Sequence, residues 1–211
     1  MTRSLYLHGF ASAPTSRKAT FFDCELAKNN VKLEIPDLAG GDFRGLTISK
    51  QLQIVERAAN GERVLLIGSS LGGYIAALYA ERHPEVAALV LLAPAFNFFK
   101  QWTEELGPAK MEEWRQAGET LVYHYGEQKT MPLAFEFIAD ASRFDPYPSF
   151  TQPCMIFHGT SDPVVPVEYS EAFARNRSNV ELVKVQSGHE LTDVLEIIWA
   201  EAGPWIFRAI R

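Results

Sequence analysis

The sequence predicts an α/β fold, a doubly wound and mostly parallel sheet of about six strands with a helical insertion. Three observations lead there. Short runs rich in Val, Ile and Leu recur along the 211 residues, and most are apolar on both faces, as strands covered by helices on each side must be. Longer stretches whose apolar residues recur at helical spacing alternate with them. One interval, between the apolar runs that end at Ala93 and begin after Pro153, is too long for a simple crossover.

The first strand falls at 4–8 and runs into His8-Gly9, with a helix over 15–29 behind it. A second strand at 31–35 precedes a helix over 47–60, and a third at 63–68 precedes a helix over 71–83 that stops before Pro84. The fourth strand is at 88–93. Residues 97–150 then read as three helical pieces, at 98–106, 108–125 and 131–142, and are unusually rich in Phe, Trp and Tyr. This segment is expected to be a lid inserted in a single domain spanning 1–211, its aromatics packing lid against body. The sheet resumes at 154–158, followed by a helix over 167–177 and a strand at 180–185. The last helical stretch, 191–210, contains Gly203-Pro204, which predicts two helices or one broken helix. Right-handed crossovers would bring the carboxyl ends of the strands to one edge, where ligands bind in such sheets.

Composition narrows the function. The formal net charge of −6 argues against a general nucleic-acid binder, because a phosphate backbone calls for a basic face. Cys24 and Cys154 are too few and too far apart for a disulfide framework or a metal knuckle, and read as reduced thiols. No apolar run approaches the roughly 20 residues of a membrane span. Arg3 leads directly into strand-like LYLHGF, so no secretory leader is expected and the default compartment is cytoplasmic.

The strongest local signal is Gly68-Ser69-Ser70-Leu71-Gly72, a G-x-S-x-G pattern between a buried strand and a helix. Such a turn would hold Ser70 strained and exposed, with glycines where side chains would collide. It would also set the serine at a helix N-terminus, which favours a developing anion. A serine hydroxyl needs a base to take its proton. Of the five histidines, His189 fits best, on the loop between the last strand and the last helix. His8 and His158 lie near the same edge, but their His-Gly contexts suggest bonding to loop backbone; His83 caps a helix end and His124 lies in the insertion. Asp162 follows the strand at 154–158, one strand before the His189 loop, and can meet it to orient the imidazole; the loop after the fourth strand offers Asn97 and no acid. Two backbone donors for an oxyanion would be Leu71 N–H, next to the serine, and Phe10 N–H, in the loop after the first strand. The cationic pair Arg17-Lys18, early in the first helix, reads as solvated surface. The Cys and His spacings give no zinc site, and the chemistry requires no metal or organic cofactor.

With these residues in place, the chain resembles the α/β-hydrolase superfamily along nearly its whole length. LYLHGFASAPTSRKA and LLIGSSLGGYIAALYA are similar to the small bacterial YqiA-like esterases, and HGTSDPVVP and SGHEL resemble the superfamily's acid and base loops. The chain order Ser70, Asp162, His189 is that of the superfamily. The resemblance implies a serine esterase or thioesterase acting on a small-molecule carboxylic ester or thioester through an acyl-enzyme. Ser70 would be its nucleophile, His189 its base and Asp162 the partner of the base, with main-chain oxyanion contacts from Phe10 and Leu71. Alternatives are another reaction of the same triad (peptidase, perhydrolase or carbon–carbon hydrolase) and a non-catalytic ligand binder of the same fold. The oxyanion loop is HGF, not the HGGG of many lipases, and the sheet starts directly at the HG strand, so its N-terminal side is short.

Overall fold

Apolar runs that are buried on both faces become the centre of a parallel sheet, as their composition requires. The computed structural model describes residues 2–210. In chain order these form β1 (Arg3–Leu7), α1 (Arg17–Ala27), β2 (Leu33–Glu34), α2 (Ile48–Ala59), β3 (Val64–Ser69), α3 (Leu71–Arg82), β4 (Val86–Leu92), α4 (Phe98–Ala117), β5 (Glu119–His124), β6 (Lys129–Ala134), α5 (Glu136–Ala141), β7 (Cys154–Gly159), α6 (Val167–Ala174), β8 (Val180–Val185) and α7 (Leu195–Ala209). Six strands pair in the order β2-β1-β3-β4-β7-β8, every pair parallel. The chain moves outward from β1 to β2, then returns across β1 to β3. That reversal makes the carboxyl ends of β1 and β3 the switch point of the sheet, the place where open α/β sheets bind ligands.

Alternation along the strands divides the interior in two. Leu5, Leu7, Leu66, Leu89 and Ile156 face a core shared with α2, α3 and α6. Tyr6, Leu65, Ile67, Val90 and Phe157 face a second core under α1 and α7. The caps of α2 are legible in its sequence: Thr47 Oγ1 accepts the Lys50 N–H at 3.0 Å, and Asn60 closes the helix in the left-handed region. Residues 71–80 of α3 are all buried, because this helix lies over the middle of the sheet and is covered by the insertion as well.

Three elements depart from the sequence expectation. The expected strand at 31–35 contributes only Leu33–Glu34, an edge strand with one paired neighbour. The insertion is not wholly helical. Its first break is where the sequence places it, at Gly107 (φ 73°, ψ 164°) before Pro108, but the second helix ends at Ala117 and Gly118 turns the chain into an antiparallel hairpin, β5–β6. The pattern there has period 2, with Thr120, Val122 and His124 turned inward and Leu121 and Tyr123 outward, which suits a two-stranded sheet lying on the body. Trp114 Nε1–H ties α4 to this hairpin through the Leu133 carbonyl at 3.1 Å. The third departure is α7, which runs unbroken through Pro204 from Leu195. Pro204 and Ala200, whose carbonyl it leaves unpaired, are both exposed, so water can take that bond, while Leu195, Ile198, Ala202 and Ile206 stay buried against the sheet.

Backbone packs closely on backbone at the β3–α3 turn. A Cβ on Gly72 would overlap the Leu7 carbonyl oxygen, and one on Gly68 would lie 2.5 Å from the Gly72 carbonyl oxygen. Both obstacles are backbone and cannot swing aside. Gly72→Ala should therefore destabilise the protein by about 2 kcal/mol or more, read as a lower urea midpoint at unchanged slope.

Candidate active site

Ser70 stands between β3 and α3 at φ 52°, ψ −118°, a left-handed conformation that disfavours a residue with a Cβ. Surrounding bonds hold it there. Its N–H donates to the Leu92 carbonyl at 2.9 Å, and its own carbonyl accepts from Gly73, Tyr74 and Ala95 at 3.0, 3.1 and 3.0 Å. The side chain is thereby turned out at the carboxyl edge of the sheet.

The loops after β7 and β8 are laced together beside it. Thr160 N–H donates to the Val185 carbonyl and Ser161 N–H to the Ser187 carbonyl, at 2.8 and 3.1 Å. The Ser187 hydroxyl in turn donates to Asp193. This lacing brings Asp162 and His189 side by side. His189 Nδ1 is 2.7 Å from Asp162 Oδ2, and its Nε2 is 3.0 Å from Ser70 Oγ. Three residues far apart in the chain thus form one continuous hydrogen-bonded row.

The protonation pattern follows from the acceptors. Asp162 has an inaccessible side chain, and burial alone would raise its pKa; bonds from His158, from His189 and from Val165 N–H outweigh burial and hold the carboxyl well below its ordinary range. Its Oδ1 accepts from Val164 and Val165 N–H at 2.8 and 2.9 Å. An ionised carboxylate only accepts, so His189 Nδ1 carries the hydrogen and Nε2 presents a lone pair to the Ser70 hydroxyl.

The other histidines are committed elsewhere. His158 is fully buried; its Nε2 faces the Val165 carbonyl at 2.9 Å and Asp162 Oδ2 at 3.2 Å, both acceptors, and its Nδ1 meets the Ser170 hydroxyl at 2.8 Å. It is a second donor to Asp162, a contact that no sequence signal announces beyond its place on the strand that carries that loop. His8 Nδ1 donates to the Gly9 carbonyl at 3.0 Å while its Nε2 accepts the Leu38 N–H at 3.0 Å. Beside it, the Asp37 carboxylate accepts the Ala39 and Gly41 N–H groups at 2.9 and 3.0 Å. His83 stacks on Tyr79 and meets Glu85, and His124 accepts the Glu127 N–H.

The loop after β1 completes the crevice. Gly9 lies against Ser70, a Cβ there falling 3.4 Å from the serine Cβ. The Gly9 carbonyl is held by His8 and by Ser12 N–H. Since carbonyl and N–H point opposite ways across a planar trans peptide, these bonds fix the direction of the Phe10 N–H as well. Among the described residues neither Phe10 N–H nor Leu71 N–H donates to a protein acceptor. The Phe10 ring is set among Phe43, Trp102 and Phe137 at 5.7, 5.3 and 5.4 Å, so the same residue reaches from the crevice into the insertion. Lys18 departs from its expected place on the solvated surface, for its side chain is only 9% accessible. Among the described residues, no cluster of three or more His, Cys, Asp or Glu is arranged to hold a metal, and no helix is long and apolar enough to cross a membrane.

Sheet order, elbow and crevice are those of the α/β-hydrolase fold. Mouse alpha/beta hydrolase domain-containing protein 10 superimposes with a TM-score of 0.81 at 22% identity, over 97% of this chain and 89% of that one. Est1E from Butyrivibrio proteoclasticus, in a structure with ferulic acid bound, gives 0.75 at 22% identity over 100% and 90%. A monoacylglycerol lipase from Paleococcus ferrophilus gives 0.74 at 16% identity over 97% and 95%. Within this fold, the chain belongs to the uncharacterised protein family UPF0227, whose model matches residues 3–202.

The depressed Asp162 pKa sets a sign for stability. A carboxyl whose folded pKa lies below its unfolded value of 3.8 contributes fully above that pH and loses its contribution as pH falls through the folded value. Asp162→Asn should be less stable than wild type by roughly 1–3 kcal/mol at pH 7, and urea unfolding should show that gap narrowing toward pH 2.

Proposed function

We propose that the protein is a serine hydrolase that cleaves a carboxylic ester or thioester through an acyl-enzyme. The observation that carries this reading is the row Ser70 Oγ, His189 Nε2, His189 Nδ1, Asp162 Oδ2, at 3.0 and 2.7 Å. Ser70 attacks the acyl carbon while His189 Nε2 accepts its proton. Asp162 keeps the imidazole in the tautomer that can do this and stabilises the imidazolium that results. The tetrahedral oxyanion takes the Phe10 and Leu71 N–H groups, which stand free at the same edge. His189 then hands its proton to the leaving oxygen or sulfur, and water repeats the sequence to release the acid. Three further bonds to Asp162, from Val164, Val165 and His158, keep it ionised and in place.

The segment 97–150 acts as the lid. Its Phe98 and Trp102, backed by the fully buried Phe137, join Phe10 in an aromatic wall next to the oxyanion donors, which suits an apolar acyl or aryl group. Est1E, seen with ferulic acid, and the Paleococcus lipase carry the same fold and support the choice of ester chemistry.

A fluorophosphonate probe and a panel of p-nitrophenyl esters test the assignment. The wild type should label once and turn over short-chain esters. Ser70→Ala should lose the label and roughly 10⁴-fold or more in kcat while its unfolding midpoint is retained. Labelling of Ser70→Ala at the wild-type rate would remove Ser70 as nucleophile.

A further inference from the structure

Lys18 is the second residue of α1, and its surroundings are unusual for a lysine. Its neighbour Arg17 is exposed, whereas the Lys18 side chain is 91% buried. Its ammonium makes no hydrogen bond with the protein among the described residues. The nearest carboxylate, Glu190 Oε2, is 3.9 Å away, beyond hydrogen-bonding distance, on a side chain that is 78% exposed. A structural strut would show the reverse, a short bond to a buried partner. Burial lowers the lysine's pKa, while the Glu190 and Asp162 carboxylates oppose that shift.

Its position places it at the crevice. α1 begins at the carboxyl edge of the sheet, after the loop that carries Phe10, and helical side chains lean toward their helix N-terminus. Lys18 therefore leans toward the edge where Ser70 and His189 meet, and the residue it approaches, Glu190, directly follows His189. The first turn of α1 carries no acidic residue and Ser16 makes no side-chain cap, so the positive end of the helix adds to the ammonium.

Building on the hydrolase reading, we propose that Lys18 binds an anionic group on the departing half of the substrate, so that the protein selects esters or thioesters whose alcohol or thiol part carries a carboxylate or a phosphate. The departing half is singled out because His189 gives its proton to the leaving atom. That half must lie on the His189 side of Ser70, where Lys18 and Glu190 also lie. Glu190 is the resting counter-ion: held loosely and facing water, it yields to a substrate anion at little cost. An ammonium set in this largely covered position, with little water around it, is attracted to that anion more strongly than a surface lysine would be.

Three butyrate esters of one phenol framework test this: 4-carboxyphenyl, 4-(phosphonooxy)phenyl and the neutral 4-carbamoylphenyl butyrate. Comparing variants cancels the intrinsic reactivity of each leaving group. Lys18→Gln should lower the anionic-to-neutral ratio of kcat/KM about tenfold, mainly through KM, and Glu190→Gln should raise it. The ester whose ratio moves more, carboxylate or phosphate, identifies the anion. An unchanged ratio in both variants overturns the proposal. If Lys18→Gln does not fold, the direction of the Glu190→Gln change decides. Turnover of the neutral ester by the wild type reports separately on the hydrolase reading. Were no ester cleaved, calorimetric titration with the product 4-hydroxybenzoate still decides the anion site: binding that weakens about tenfold in Lys18→Gln, or strengthens in Glu190→Gln, supports it, and equal or absent binding refutes it.

Discussion

The close approach of backbone to backbone at the β3–α3 turn is the constraint on which the crevice depends. Gly68 and Gly72 let α3 descend onto the ends of β1 and β3 with nothing between them but main chain. That approach forces Ser70 to φ 52°, a strain on the order of 1–3 kcal/mol, which four hydrogen bonds to its N–H and carbonyl hold in place. The turn also leaves the first N–H of the helix free beside the serine hydroxyl. Fold stability and presentation of the hydroxyl are therefore one structural fact: relaxing the strain would withdraw the side chain from the edge.

The parallel sheet supplies the rest of the geometry. Its order reverses between β1 and β3, so α1 and α3 leave the sheet on opposite faces while the loop after β1 comes to lie against Ser70. The loops after β7 and β8 are bound to each other main chain to main chain, so Asp162 and His189 are set by backbone and not by flexible side-chain reach. Asp162 is then saturated with donors. Two come from its own turn, one from His158 below it and one from His189 above. A carboxylate so surrounded stays ionised across the range in which an imidazole titrates, and that keeps the histidine's outer nitrogen free to accept a proton.

Phe10 joins the insertion to the crevice. Its N–H has no protein acceptor among the described residues, and its ring packs against Trp102 from α4 and Phe137 from α5. At the tip of the hairpin, Gly126 N–H donates to the Ala11 carbonyl at 3.3 Å, one residue further along the same loop. The insertion is thus packed onto the loop that bears one proposed oxyanion donor, and a movement of one would disturb the other.

Much of this was open to reading in the residues themselves. Strand and helix periods, the G-x-S-x-G turn and the rank order of Ser70, Asp162 and His189 along the chain depend on local spacing, which a sequence carries directly. Residues 119–124 and 129–134, which read as parts of two helices, pair as a hairpin instead, because short apolar stretches fit either period until a surface exists for one face to lie on. The unbroken run of α7 through Pro204 is hidden from the sequence for a similar reason: whether a missing N–H breaks a helix depends on whether water can reach the carbonyl it abandons. The second donor to Asp162 and the burial of Lys18 were invisible, since both arise from segments brought together only when the sheet closes. Local chemistry thus determined which residues could act; the tertiary structure alone decided which of them meet, because hydrogen bonds and desolvation act over a few ångströms while their partners stand tens of residues apart in the chain.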